Sequence, residues 1–251
     1  MSAARTVAVL GAAGGIGGSV VRRLAELGHT VIAVVRTEDS LAELTASLGS
    51  QDVRVNGFIM DLASLVDGED LVTYALHRFA RLDALVNSAA LYEPSPASAL
   101  DVPGWERTMG PNLRGPMLVA SAAARQFVRQ GAGRIVHVTS ITASVSRGGY
   151  TVYEVSKAGL AAATRSMAVE LAPSGVLVNA VAPGWVRTPM TEGFLADCSQ
   201  AAIADLIPVG RVGEPDEIAE VVCWLALDSP GFLTGQTLTV DGGQTARTGY
   251  L

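Results

Sequence analysis

Ser140, Tyr153 and Lys157 place a hydroxyl, a phenol and an amine within one short stretch of the chain. Tyr153-Glu154-Val155-Ser156-Lys157 opens a long helical pattern, and residues four apart on a helix share a face. Phenol and ammonium can therefore point into the same space. An ammonium beside a phenol favours the phenolate and lowers a pKa that is otherwise about 10. A phenol tuned in this way exchanges a proton near neutral pH. Ser140 ends the apolar run Val136-His137-Val138-Thr139, where its hydroxyl could hold a substrate oxygen beside the phenol. The three side chains make a proton-transfer site that needs a redox partner. On spacing alone, a Tyr and a Lys four apart more often decorate a helix surface, so the surrounding elements must decide.

The first of those elements is a glycine turn. Val7-Ala8-Val9-Leu10 is too short for a helix and runs directly into Gly11-Ala12-Ala13-Gly14-Gly15-Ile16-Gly17-Gly18. Helical periodicity follows through Val20, Val21, Leu24 and Leu27 and stops at Gly28. Strand, glycine turn and helix in that order present backbone amides and a helix N-terminus to a pyrophosphate. Further strands are expected at Val31 to Val35, Val53 to Met60, Ala84 to Asn87, Val136 to Ser140, Val176 to Val181 and Thr237 to Val240. Helical stripes alternate with them, at Leu41 to Leu48, Leu71 to Phe79, residues 105–129 and 153–172, and Pro215 to Leu227. That alternation predicts a single-domain α/β Rossmann fold over residues 1–251, with a doubly wound, mostly parallel seven-stranded sheet and helices on both faces.

In order and spacing, Ser140, Tyr153 and Lys157 resemble the catalytic residues of the short-chain dehydrogenase/reductase family. Gly11, Gly15 and Gly17 are similar to that family's G-x3-G-x-G turn, and the resemblance covers essentially all 251 residues. It implies an NAD(P)(H)-dependent oxidoreductase that interconverts a ketone or aldehyde with an alcohol by hydride transfer. Ser140 would hold the oxygen, Tyr153 would be the acid/base, and Lys157 would lower its pKa and hold the nicotinamide ribose. Asn112 matches the family's active-site asparagine and would support a proton-supplying water. The same resemblance puts Gly11, Gly15, Ile16, Gly17, Arg36, Asp61, Leu62, Asn87, Tyr153, Lys157, Pro183, Gly184, Val186 and Thr188 around the cofactor. It also implies a homotetramer, with the helices at 105–129 and 153–172 packed across the interfaces and the Gly249-Tyr250-Leu251 tail reaching a neighbour. Departures from the family pattern are Leu10 for a usual Thr, Ser88 and Ala90 in the segment after Asn87, and Pro111 and Pro116 flanking Asn112. The first two share one expected contact and suggest local repacking; the prolines should kink the helix.

Cofactor choice turns on the end of the second strand. A carboxylate there bonds ribose hydroxyls and favours NAD, whereas an arginine accommodates the extra phosphate of NADP. Val35 stands at the carboxylate position and Arg36 follows it, so NADP(H) is preferred, with NAD(H) possible. Asp61, at the end of the third strand, either lies near the adenine or caps the following segment.

Composition narrows the class. Of the residues 49% are hydrophobic and 17% charged, which allows a sizeable core. A formal net charge of −6 without a basic cluster argues against nucleic acid. Met1-Ser2-Ala3-Ala4-Arg5 lacks a signal-peptide core, no run of about 18 apolar residues predicts a membrane span, and Cys198 and Cys223 form no disulfide framework. These features fit a reducing cytoplasm. His29, His77 and His137 are scattered, so no metal site is expected.

The substrate is a small-molecule carbonyl or alcohol. Tyr92, Ile141, Arg147, Tyr150, Trp185 and Phe194 fall in loops expected around the pocket, and residues 191–210 read as a flap over it. Arg147 either meets an acidic group or is solvated. A narrower alternative is 3-oxoacyl-[acyl-carrier-protein] reductase, which the run Pro208 to Pro215 resembles and for which Arg129 offers a basic docking residue. A third is a non-catalytic dinucleotide-sensing regulator, although such relatives usually lose the Tyr or the Lys.

Overall fold

The computed structural model describes residues 4–49 and 54–247; residues 1–3, the expected strand residue Val53 and the Gly249-Tyr250-Leu251 tail lie outside the described residues. Seven strands form one sheet: β1 (Thr6–Leu10), β2 (Thr30–Val35), β3 (Val55–Ile59), β4 (Ala84–Asn87), β5 (Gly133–Val138), β6 (Val176–Pro183) and β7 (Thr237–Val240). Their order is β3-β2-β1-β4-β5-β6-β7 and every pairing is parallel. Val7 sits in register with Val31 on one side and Ala84 on the other, so the winding reverses between β1 and β4. A crevice opens at that switch point, beyond the carboxyl ends of the strands.

Successive strand residues face opposite sides of the sheet, and here both sides are covered. Val7 and Val9 join Val20, Val21 and Leu24 of α1 (Gly15–Glu26) and Ile218, Val222 and Leu225 of α9 (Pro215–Leu227). Ala8 and Leu10 join Leu71 of α3 (Glu69–Phe79), Val119 and Phe127 of α5 (Gly115–Gln130) and Ala168 of α6 (Thr151–Leu171). Burial on both faces is why these strands read as unbroken apolar runs. Leu10 is fully buried in the second core, and its carbonyl accepts from the Ser88 amide at 3.0 Å. The two departures at that contact are thus met by apolar packing and a backbone hydrogen bond.

Three stretches differ from the sequence expectation. Residues 191–210 are not an irregular flap but contain α7 (Pro189–Ala196) and α8 (Gln200–Leu206). Both are announced by caps: Thr188 and Thr191 form a capping box, and Ser199 Oγ accepts from the Ala202 amide at 3.2 Å. The proline-rich stretch before Trp105 already holds the start of α4 (Val102–Met109), capped by Asp101, whose carboxylate accepts from the Gly104 amide at 2.7 Å. Pro103 sits in the first turn, where no amide donor is missed. The kink expected at Pro111 is a π-helical turn over Gly110–Arg114, after which α5 continues. Pro116 has no N–H to give the Asn112 carbonyl four residues back.

Between β2 and β3, α2 (Glu38–Leu48) is capped by Thr37, whose Oγ1 accepts from the Ser40 amide at 3.2 Å. No helix among the described residues is long and apolar enough to cross a membrane.

Candidate active site

Most of the residues singled out in the sequence meet in one cavity of about 690 Å³ along the carboxyl ends of the strands. Its floor near β1 is the glycine turn. Gly11 has φ +72°, and a side chain there would strike the Ala89 backbone at 2.7 Å. Side chains at Gly15 and Gly17 would collide with Thr188 and with the Gly11 carbonyl. The turn is therefore shaped as a cradle that only glycines leave open, with the N-terminus of α1 behind it. Gly11, Gly15 and Ile16 line the cavity; Gly17 is buried beneath it and acts through the turn's shape.

Asp61 and Leu62 line the wall beyond β3. The Asp61 carboxylate accepts from the Ala63 amide at 3.0 Å and from Ser64 Oγ at 3.1 Å, so it braces a turn while still facing the cavity. Arg36 lines the cavity at the end of β2, exposed, with no ion pair or side-chain hydrogen bond among the described residues. Ser40 lines it as well, with its hydroxyl 2.9 Å from that of Thr37. Sequence reasoning missed Ser40, although the Thr37-x-x-Ser40 cap spacing beside Arg36 could have flagged it. Pro183, Gly184, Val186 and Thr188 close the far side.

Asn87 does not reach the cavity. It is fully buried, and its Oδ1 accepts from the Ala89 amide at 3.3 Å, which holds the Ser88–Ala90 loop against the glycine turn. Asn112 is equally buried. Its Oδ1 accepts from the Leu91 amide at 2.6 Å, and its Nδ2 donates to the Leu91 carbonyl at 2.8 Å and to Ser156 Oγ at 3.2 Å. The side chain thus ties the π-turn to the cavity wall and to the helix of Tyr153 and Lys157.

Ser140, Tyr153 and Lys157 stand together in the cavity. Ser140 Oγ accepts from the Thr142 amide at 3.1 Å and from Thr142 Oγ1 at 2.9 Å, which leaves its own proton to donate. Lys157 is buried, and its Nζ donates to the Val138 carbonyl at 2.9 Å and lies 5.7 Å from the Tyr153 ring centre. Burial pushes its pKa down to about 8. Burial also pushes the Tyr153 phenol up to about 12; Ser140 opposes this and Tyr92 adds to it. The expectation that the ammonium lowers the phenol is corrected for the protein alone. The amine is turned to a backbone carbonyl, and desolvation of the phenol sets the direction of its shift.

A glycine cradle that a Cβ would fill, an open helix N-terminus and a free guanidinium fit a dinucleotide. The family model described as enoyl-(acyl carrier protein) reductase matches residues 11–245. Cis-4-hydroxycyclohexanecarboxylate dehydrogenase of Sinomonas cyclohexanicum is 39% identical over 97% of this chain and 98% of its own. A short-chain type dehydrogenase/reductase from Mycobacterium ulcerans superposes with a TM-score of 0.92 at 31% identity, covering 99% of this chain and 93% of that one.

The chain belongs to the short-chain dehydrogenase/reductase family.

It is accordingly an oxidoreductase that interconverts a carbonyl compound and an alcohol with NAD(P). Gluconate 5-dehydrogenase from Burkholderia cenocepacia, solved with NADP and tartrate, is similar at 29% identity and a TM-score of 0.89, with 97% and 96% of the two chains covered.

The aromatic residues expected around the pocket are not among those lining this dehydrogenase/reductase's cavity; they gather beside Tyr153 and around Arg147. Tyr92 stacks on Tyr150 with ring centres 4.1 Å apart and meets the Tyr153 ring edge-on at 4.7 Å. Trp185 stacks on Phe194 at 4.4 Å, and the Arg147 guanidinium lies among these rings. Arg129 is elsewhere. It bonds Gln126 in the last turn of α5, just before β5 begins, and therefore lies at the opposite end of the sheet from the cavity. A wider, open depression of about 1070 Å³ at that end, lined by Arg5, Arg81, Arg134 and Phe232, holds none of the candidate site residues.

Proposed function

We propose that Tyr153 is the acid/base of this oxidoreductase, with Ser140 holding the substrate oxygen, Lys157 supporting the phenol, and NADP(H) preferred over NAD(H). One observation carries the reading: the glycine cradle and the Ser140–Tyr153–Lys157 group share a single cavity. The bound nicotinamide supplies or accepts the hydride. In the reducing direction the Tyr153 hydroxyl gives its proton to the carbonyl oxygen, while the Ser140 hydroxyl donates a hydrogen bond to the same oxygen. Donors aimed at a developing alkoxide contribute about 3–4 kcal/mol in comparable sites. A neutral phenol held high by burial suits that donor role, and a nearby amine held low by burial can share the returning proton. Asn112 is a positioning residue: it fixes the wall at Leu91 and the helix at Ser156, and its carbonyl, which Pro116 has no N–H to reach, would accept from a proton-supplying water.

Gly11, Gly15, Ile16 and the N-terminus of α1 would hold the pyrophosphate, with Asp61, Leu62, Pro183, Gly184, Val186 and Thr188 around the remainder. Gly17 and Asn87 shape the walls. Arg36 and Ser40 offer a guanidinium and a hydroxyl beside Val35, a pair suited to the extra phosphate of NADP. The NADP complex of the similar gluconate 5-dehydrogenase supports that preference. Exposed Val128 on α5 and Val155 and Val169 on α6 support a homotetramer built on those helices. Free Cys198 and Cys223 fit the cytoplasm.

The test is Tyr153→Phe, which keeps the ring and removes the transferable proton. A fall in kcat of at least about a hundredfold with unchanged cofactor binding is expected. Near wild-type turnover would remove Tyr153 from the mechanism.

A further inference from the structure

Arg147 is unlike the other surface arginines. Its loop follows β5 and precedes α6, and it is tied down through Glu154: the Arg147 amide donates to Glu154 Oε1 at 3.0 Å, and Ser146 Oγ to Oε2 at 2.7 Å. That carboxylate is therefore engaged with the loop and not with the guanidinium. The guanidinium lies 4.2 Å from the Phe194 ring centre, 5.0 Å from Trp185 and 5.1 Å from Tyr150, and Nη1 donates to the Tyr92 hydroxyl at 2.7 Å. Four separate segments of chain thus converge on one cation that has no carboxylate partner among the described residues. A guanidinium carries five N–H donors, and among the described residues only one makes a hydrogen bond, so most of its donor capacity remains for a ligand. Aromatic faces fix such a cation without neutralising it.

Tyr92 connects this cation to the chemistry. Its ring packs at a steep angle on that of Tyr153, with centres 4.7 Å apart, while its hydroxyl accepts from Arg147, so the Tyr92 side chain bridges the Tyr153 ring and the guanidinium. We propose that Arg147 is a specificity residue that binds a substrate carboxylate, and that the substrate is a compact oxo acid, or the matching hydroxy acid. Its carbonyl carbon and carboxylate would be separated by an apolar spacer about as long as a six-membered ring. This rests on the reading that Tyr153 meets the reacting oxygen. One hydride from the reduced cofactor goes to the carbonyl carbon and one proton from Tyr153 to its oxygen; the carboxylate is unchanged. A planar fork matches a carboxylate bidentately, which a lysine ammonium does not.

The test uses 4-oxocyclohexanecarboxylate and its methyl ester, which removes the charge and adds one methyl group to an otherwise identical ring. With wild type, kcat/KM for the acid is expected to exceed that for the ester by about 30-fold or more, a charge-assisted contact made or lost. Arg147→Met should lower kcat/KM for the acid by a similar factor, mainly through KM, and leave the ester within about threefold; Arg147→Lys should recover part of the loss. Binding is measured in parallel by calorimetry on the NADP+ complex of Tyr153→Phe, where the contact is read apart from turnover. Acid bound more tightly than ester by that variant supports Arg147 even if the role of Tyr153 fails. Equal affinity for acid and ester, no binding of the acid, or equal losses for both in Arg147→Met overturns the proposal.

Discussion

Acidification from pH 7 to pH 5 is expected to destabilise the protein through one imidazole. His137, on β5, is fully buried, with its Nδ1 3.5 Å from Asn87 Nδ2 and no partner for Nε2 among the described residues. Burial pushes its pKa down to about 4, and the Lys157 charge, held at the carbonyl of the next residue, Val138, acts in the same direction. The unfolded chain keeps an ordinary value near 6.5. Because the folded value is the lower one, His137 leaves stability untouched above about pH 6.5. As the pH falls further, the unfolded chain takes up a proton that the folded protein refuses, until the folded imidazole follows near pH 4. Within that window each pH unit costs about 1.4 kcal/mol, and integration from pH 7 to pH 5 gives about 2 kcal/mol. His137→Asn places a polar amide that does not titrate beside the same Asn87. Urea unfolding at both pH values and one protein concentration isolates the residue, since His29 and the carboxylates titrate in both proteins. Wild type should lose about 2 kcal/mol more than the variant between pH 7 and pH 5. Losses that agree within about 0.5 kcal/mol would mean that the folded imidazole is not held neutral.

Two other outcomes follow from residues at the edge of the cavity and on the surface. Losing one contact to a charged group costs about 1.5–3 kcal/mol, so Arg36→Ala should weaken NADPH by roughly 10- to 150-fold and leave NADH nearly untouched in a fluorescence titration. Equal losses for both would sink the NADP preference. Exposed Val155 and Val169 on α6, with the fully exposed Phe232 and half-exposed Trp224, should be covered in a tetramer. Light scattering at micromolar protein is expected to give four times the chain mass, and a monomer peak would contradict that assembly.

The sheet was legible because parallel strands buried on both faces leave apolar runs, and the glycine turn because close backbone approach excludes Cβ atoms at Gly11, Gly15 and Gly17. Other features depended on information that periodicity does not hold. α7 and α8 expose most of their length, so their start signals, Thr188 and Ser199, outweigh any apolar stripe. Pro103 read as a breaker but stands in a first turn, where proline is tolerated. Spacing placed Tyr153 and Lys157 on one face, yet the direction of the phenol's shift depended on burial and on the Val138 carbonyl that receives the amine. The residues from 92 to 194 around Arg147 were expected near one pocket, but their contacts with its guanidinium exist only in three dimensions.

The π-turn at Gly110–Arg114 also acts as a phase shifter between α4 and α5. Each residue of an α-helix advances its face by about 100°, and a π-turn absorbs one extra residue without breaking the rod. A one-codon deletion there would return the segment to the α-helical repeat, although Pro111 and Pro116 would still withhold their amide donors. It would also rotate α4 against α5 by that angle, turning Asn112 away from Leu91 while Val119 and Phe127 kept their core positions. The glycines bounding the turn on either side narrow the choice further, since a side chain at Gly115 would collide with the Leu62 carbonyl and one at Gly110 would crowd Ala63. A deletion in this segment is thus expected to cost the Asn112 contacts to Leu91 and Ser156, whatever the helix around it tolerates.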